Sequence, residues 1–196
     1  MTDQPSPLAI RPLTSGRLGD LASLFETNSI TRNCYCMYFL VAGRDFGDGW
    51  GVGNRARFEE LAAGQDPPTG LLAYRDREPV GWCAMGPRSR YPRALRSPIL
   101  KGHDPAEDDQ VWLVPCFFVR RDARRSGATR ALLAAAVGEA ERHGAAAIEG
   151  FPLAVDTRRP PAEAFFGAES AFADCGFTPV ARPTPIRVVM RRQLTR

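Results

Sequence analysis

The stretch Val111–Leu133 constrains this chain more than any other. It runs VWLVPCFFV, an apolar strand; then RRDARRSG, an arginine-rich loop with one glycine; then ATRALL, the first turns of a helix. A strand that turns through glycine into a helix N-terminus builds an anion site. The first helical N–H groups have no internal acceptor, and the helix dipole adds partial positive charge there. Gly127 removes the Cβ where a phosphate oxygen would approach the main chain. Arg120, Arg121, Arg124 and Arg125 add long-range attraction for a polyanion. The expected ligand is a phosphorylated cofactor; the alternative is an ordinary strand–helix turn with a solvated basic loop.

The run Arg124-Arg125-Ser126-Gly127-Ala128-Thr129, followed by Leu132-Leu133, resembles the pyrophosphate loop of the GNAT N-acetyltransferases, Arg/Gln-x-x-Gly-x-Gly/Ala. The resemblance implies acetyl-coenzyme A as co-substrate, with Arg124, Arg125, Ser126, Gly127, Ala128 and Thr129 around its diphosphate. Thr129 departs from the pattern, and a β-branched residue there either crowds the diphosphate or donates a hydroxyl to it. Pro115 breaks a ladder bond in the middle of an otherwise continuous strand. In the family the fourth and fifth strands splay apart and the pantetheine arm pairs with the exposed backbone. By position, Phe117, Phe118 and Val119 correspond to that segment.

Hydrophobic patterning and turn residues divide the rest of the chain. Leu8–Leu13 reads as an edge strand, since Pro12 cannot donate to a ladder. Thr14 or Ser15 caps a helix carrying Leu18, Leu21, Ala22, Leu24 and Phe25 at helical spacing. Residues 43–53 read as a glycine-rich loop, and Asn54 as the cap of a second helix through Phe58 and Leu61. Gly70–Tyr74 and Pro79–Met85 form a hairpin around the polar Arg75–Glu78 turn. Arg88–Pro105 is a long connection, and such connections are often functional. A helix runs from Gly127 to His143, a strand over Ala147–Phe151, and a helix over Ala162–Cys175 ended by Gly176. Phe177–Ala181 and Ile186–Met190 are the last strands. The order β-α-α-β-β-β-α-β-α-β-β is that of the acetyltransferase fold: α/β, a mixed central sheet of about seven strands flanked by about four helices. Nothing divides residues 1–196 into more than one domain.

With 196 residues, the chain suits one core. The N-terminus carries no secretory pattern, and five scattered cysteines suit reduced thiols, so a cytoplasmic location is expected. The apolar runs are too short to span a membrane. Lys101 is the only lysine, which fits either GC-rich coding or selection for bidentate phosphate recognition. A sequence pI near 9.0 also fits a nucleic-acid-binding domain, but no aromatic-and-basic interleaving accompanies it.

Transfer to an amine needs a polarised carbonyl, a neutral nucleophile and a proton for the leaving group. In the resembling family a Tyr ahead of the final Gly-Phe commonly serves as acid. Here Phe172 stands at that position, and Phe165 stands where an Asn often contacts the cofactor. Glu149, on the strand expected at the splay, is the candidate base; its alternative is a structural carboxylate paired with an arginine. His103 and His143 read as surface residues. Cys34, Tyr35 and Tyr38 either line the acceptor pocket or simply pack. Cys34-Tyr35-Cys36 lacks zinc-site spacing, so no metal is expected, while Cys83, Cys116 and Cys175 read as core. The Arg88–Arg96 segment would reach the coenzyme A 3′-phosphate, hold an acidic acceptor, or lie solvated; with Gly81-Trp82-Cys83 it resembles a bacterial subgroup of acetyltransferases. The resemblance therefore implies acetyl transfer to the amine of a small molecule or peptide by a protein that can dimerise. The other readings are an acyl-coenzyme A sensor with little turnover and a nucleic-acid-binding domain.

Overall fold

The computed structural model describes residues 6–64, 66–154 and 165–195. Seven strands form one sheet: β1 Ala9–Pro12, β2 Gly70–Arg75, β3 Glu78–Pro87, β4 Val111–Val119, β5 Ala147–Gly150, β6 Thr178–Thr184 and β7 Arg187–Gln193, in the order β1-β2-β3-β4-β5-β7-β6. All neighbours are antiparallel except β4 and β5. Pro12 lies on the edge strand, where its missing N–H costs no ladder bond. The β2–β3 hairpin turns on Asp76 and Arg77, both at positive φ (49° and 69°), the combination that suits the twist of a two-residue hairpin.

Alternation in the strands dresses both sheet faces. Leu71, Ala73, Cys83 and Met85 bury one face under Leu132, Leu133 and Ala136 of α6 (Ala128–Arg142). Leu72, Trp82, Ala84 and Phe118 bury the other under Leu21 and Phe25 of α1 (Leu18–Glu26) and Phe58 of α4 (Val52–Ala63). Helices on both faces of a sheet make a three-layer α/β core.

Several local expectations are corrected. Neither Thr14 nor Ser15 caps α1, because a 3-10 turn over Ser15–Arg17 intervenes. The glycine-rich segment is largely helical: α2 (Thr31–Cys34) is followed by α3 (Gly43–Asp48), and α4 begins after Gly51, whose φ is +92°. Asn54 lies inside α4, fully buried, and its amide donates to Asn33 O and Phe46 O, tying α2 and α3 to α4. The Arg88–Pro105 connection folds into short turns and α5 (Pro92–Leu95). Part of the helix expected over Ala162–Cys175 lies outside the described residues. The rest is a 3-10 turn at Phe165–Phe166, then Gly167 at φ +77°, then α7 (Glu169–Ala173), ended by Gly176 at φ +80°. The described helices thus number seven, where about four were expected, the extra ones being short segments of four to six residues.

Candidate active site

The loop before α6 is shaped by two residues in the left-handed region, Arg125 (φ 62°) and Gly127 (φ 83°). Gly127 is the helix N-cap, and the first helical bond runs from Ala131 N to Gly127 O at 3.0 Å. The amides of the turn before Ala131 therefore have no helical acceptor. A Cβ at residue 127 would meet nothing within 4 Å, so the backbone angle, not crowding by the chain, demands the glycine. The space over the amides stays open. Ser126 turns inward, its hydroxyl donating to Ala123 O at 2.6 Å, while Arg124 Nε donates to Val119 O at 3.3 Å.

Strands β4 and β5 pair only from Val111↔Ala147 to Val114↔Gly150. Beyond that β4 continues alone on this side, and its ladder with β3 slips between Ala84 and Gly86, opposite Pro115. Proline is tolerated at such a bulge, and the bulge turns the strand away from its neighbour. The unpaired edge of β4 and the α6 loop together form a cavity of about 620 Å³, lined by Phe117, Phe118, Val119, Arg124, Arg125, Gly127, Ala128 and Thr129. All the expected cofactor-contacting residues except Ser126 thus meet in one groove. Its far wall includes Phe165, at the position where the resembling family often has a cofactor-contacting Asn, and Gly167, Ala168 and Ala171, which were not anticipated from sequence. Glycine followed by small residues was the available signal.

A second cavity, about 760 Å³, shares Ile30 and Phe165 with the first. Cys34 and Tyr38 line it, together with Cys36, Phe46, Trp50 and Cys116. Tyr35 does not. At φ +48° it closes α2 with its ring turned into the core, 1% exposed and edge-on to Phe25 at 5.1 Å. Cys116, expected in the core, instead stands at the cavity wall, with its Sγ 3.7 Å from Cys36 Sγ. Trp82 Nε1 donates to Cys36 Sγ at 3.1 Å. Burial pushes the Cys34 thiol up to about 12, and contact with Cys116 together with burial raises Cys36 as well. Cys34 and Cys36 remain neutral thiols at physiological pH. Three arginines, Arg93, Arg96 and Arg187, also line the cavity, and no carboxylate or imidazole does among the described residues.

Glu149, the expected base, lines neither cavity. Its carboxylate accepts from Arg88 Nη1 at 3.2 Å and from its cross-strand neighbour Arg191 Nη1 at 3.1 Å, and it is 4% exposed. Arg88 also donates to Asp108 at 2.7 Å, and Arg191 binds Glu107 through two bonds of 2.9 and 3.1 Å. That pairing with Arg191 holds the Glu107 carboxyl below the usual carboxylate range. Arg88 comes from a residue 61 positions earlier, a partnership that strand patterning does not encode. Phe172 is fully buried between Phe117 and Phe177, and its ring carries no transferable proton. His103 and His143 sit outside both cavities, near Asp108 (3.7 Å) and Asp66 (3.2 Å). No group of three or more metal-ligating side chains occurs among the described residues, nor any helix long and apolar enough to cross a membrane.

Comparison with known proteins follows the same lines. The sequence profile described as "Acetyltransferase (GNAT) family" matches residues 37–172. The fold is similar to the ribosomal-protein-alanine N-acetyltransferase of Brucella melitensis (TM-score 0.57, 17% identity, 95% of this chain and 99% of that one). It is also similar to an N-acetyltransferase from Staphylococcus aureus (TM-score 0.57, 12% identity, 97% and 100%). A GNAT-family acetyltransferase from Streptococcus pneumoniae matches comparably (TM-score 0.56, 14% identity, 96% and 100%). No curated protein matches at the level of sequence.

Proposed function

Because the chain belongs to the GNAT acetyltransferase family, and is thereby an acyltransferase, we propose that it moves an acetyl group from acetyl-coenzyme A directly to a primary amine. The observation that carries this reading is the parting of β4 from β5 beside the α6 N-terminus, with a second cavity adjoining the groove so formed. The residues present fit that co-substrate. Amides of α6 without helical acceptors suit a diphosphate, as do Arg124 and Arg125. The free edge of β4 at Phe117–Val119 suits an arm with amide groups to pair. When bound, the co-substrate supplies an acyl carbon activated as a thioester.

The larger cavity then receives the amine and keeps it from water. Its apolar walls and its three arginines both disfavour an ammonium ion, so the acceptor is held neutral by its surroundings. As the C–N bond forms and the C–S bond breaks, the proton lost by nitrogen passes to the departing thiolate, directly or through water. Glu149 has a positioning part in this reading: it holds Arg88 and Arg191 under the β4–β5 seam. We place the reaction in a single domain.

Calorimetry with acetyl-coenzyme A tests the groove. Gly127→Val forces a β-branched residue to φ near +83° and should weaken binding by at least about tenfold. Unchanged affinity would remove the loop from the site. That no carboxylate or imidazole lines the cavity among the described residues, and that Phe172 has no hydroxyl, favours one other reading, an acyl-coenzyme A sensor. Steady release of coenzyme A thiol that depends on an added amine excludes that sensor.

A further inference from the structure

Arg93 stands out among the residues of the larger cavity. Its guanidinium lies 3.8 Å from the centre of the Tyr38 ring and 5.7 Å from that of Phe46. Yet it makes no hydrogen bond and no ion pair among the described residues, and its Nη1 is buried without a partner. A half-buried cation without a counter-ion is costly unless something supplies one. Stacking fixes the plane of the group and leaves its N–H fork for a planar anion, the arrangement that favours arginine over lysine. The other described wall residues include no acid: Ile30, Phe39, Phe46, Trp50 and Phe165 are apolar, Thr31 and Ser97 are polar but neutral, and Arg96 and Arg187 are cationic. Arg187 is already engaged, lying 3.8 Å over Phe166 and donating to Phe151 O at 3.3 Å.

We infer that the acceptor is a primary amine bearing a carboxylate and an aromatic or branched apolar body, with Arg93 as the residue that selects the carboxylate. The inference rests on the reading that this cavity holds the acceptor. Charge decides among the alternatives. A polyamine or other polycation would meet three arginines and no acid among the described wall residues. A neutral aromatic amine would fill the apolar part but leave Arg93 unpaired. A carboxylate-bearing amine satisfies both the apolar wall and the uncompensated cation.

The test compares phenylalanine, phenylalaninamide, phenethylamine and spermidine as acceptors, following coenzyme A thiol release, with thermal shift in the presence of coenzyme A as a binding readout independent of turnover. Phenylalanine should be preferred over its amide and over phenethylamine by about tenfold to a hundredfold in kcat/KM, the worth of one charge-assisted pair. Arg93→Met should erase that preference while Arg93→Lys retains part of it. Acetyl-coenzyme A titration shows that each variant is folded. The inference is overturned if the amide, phenethylamine or spermidine matches phenylalanine, if phenylalanine neither binds nor reacts, or if R93M keeps the preference. Loss of acetyl-coenzyme A binding in the wild-type chain would instead overturn the acetyltransferase reading itself.

Discussion

Single side chains decide more of this protein by what they touch than by what they are. Glu149 was a reasonable base on a strand at the expected splay, yet two guanidiniums claim its oxygens. Removing its charge leaves Arg88 and Arg191 short of a buried partner, which typically costs about 3 kcal/mol or more. Glu149→Gln should therefore lower the melting temperature by roughly 6–12 °C for a chain of this size. Scanning calorimetry checks this, and below the transition acetyl-coenzyme A should still bind. A variant with unaltered melting but no turnover would return Glu149 to the chemistry. Asn54 teaches the same lesson, since as a helix cap it would be exposed, and it is buried as a tie between three helices. The signals for both lay in distant partners, which a local pattern does not contain.

At the scale of elements, the β4–β5 seam is the working part. Pairing stops at Val114↔Gly150, and Gly150 is where the ring of Phe172 comes down on the end of β5. A Cβ at residue 150 would fall 2.3 Å from Phe172 Cε1 and 3.3 Å from Val114 O, so an alanine displaces the ring that backs Phe117. Gly150→Ala should destabilise by roughly 1–3 kcal/mol through overpacking. A urea midpoint equal to that of the parent chain would mean the ring can move freely. The strand, the arginine loop and α6 were all legible because each has its own periodicity or punctuation. The α2–α3 region before α4 was not: the glycines of residues 43–53 read as a loop, while contacts such as Asn54 with Asn33 and Phe46 tie the short helices to α4.

For the whole molecule, the neutral groups locked inside set its response to alkali. Burial raises Cys34, Cys83 and Tyr91, and the Cys116 contact followed by burial raises Cys36. Below about pH 7.5 these groups hold their protons in both folded and unfolded chains, and stability does not depend on them. As pH rises from there towards 12, the unfolded chain releases protons that the folded chain retains, so unfolding is progressively favoured. The slope approaches roughly 1.4 kcal/mol per pH unit for each such group. Urea midpoints measured at pH 8, 9.5 and 10.5 should fall in that order; a flat series would show that these groups are hydrated in the folded state.

Local chemistry was enough to determine the β4–loop–α6 unit, the sheet's two apolar faces, the edge role of β1 and the family resemblance. Each depends on residues within a few positions of one another: a strand's alternation, a glycine at positive φ, a proline that breaks a ladder. Only the tertiary structure decided that Cys116 meets Cys36, that Arg88 reaches Glu149, that Tyr35 turns inward and that Arg93 stacks on Tyr38 with no carboxylate partner among the described residues. Those are meetings between distant segments, fixed by close packing and by the demand that buried charge find a partner. Neither condition is written into any single stretch of chain.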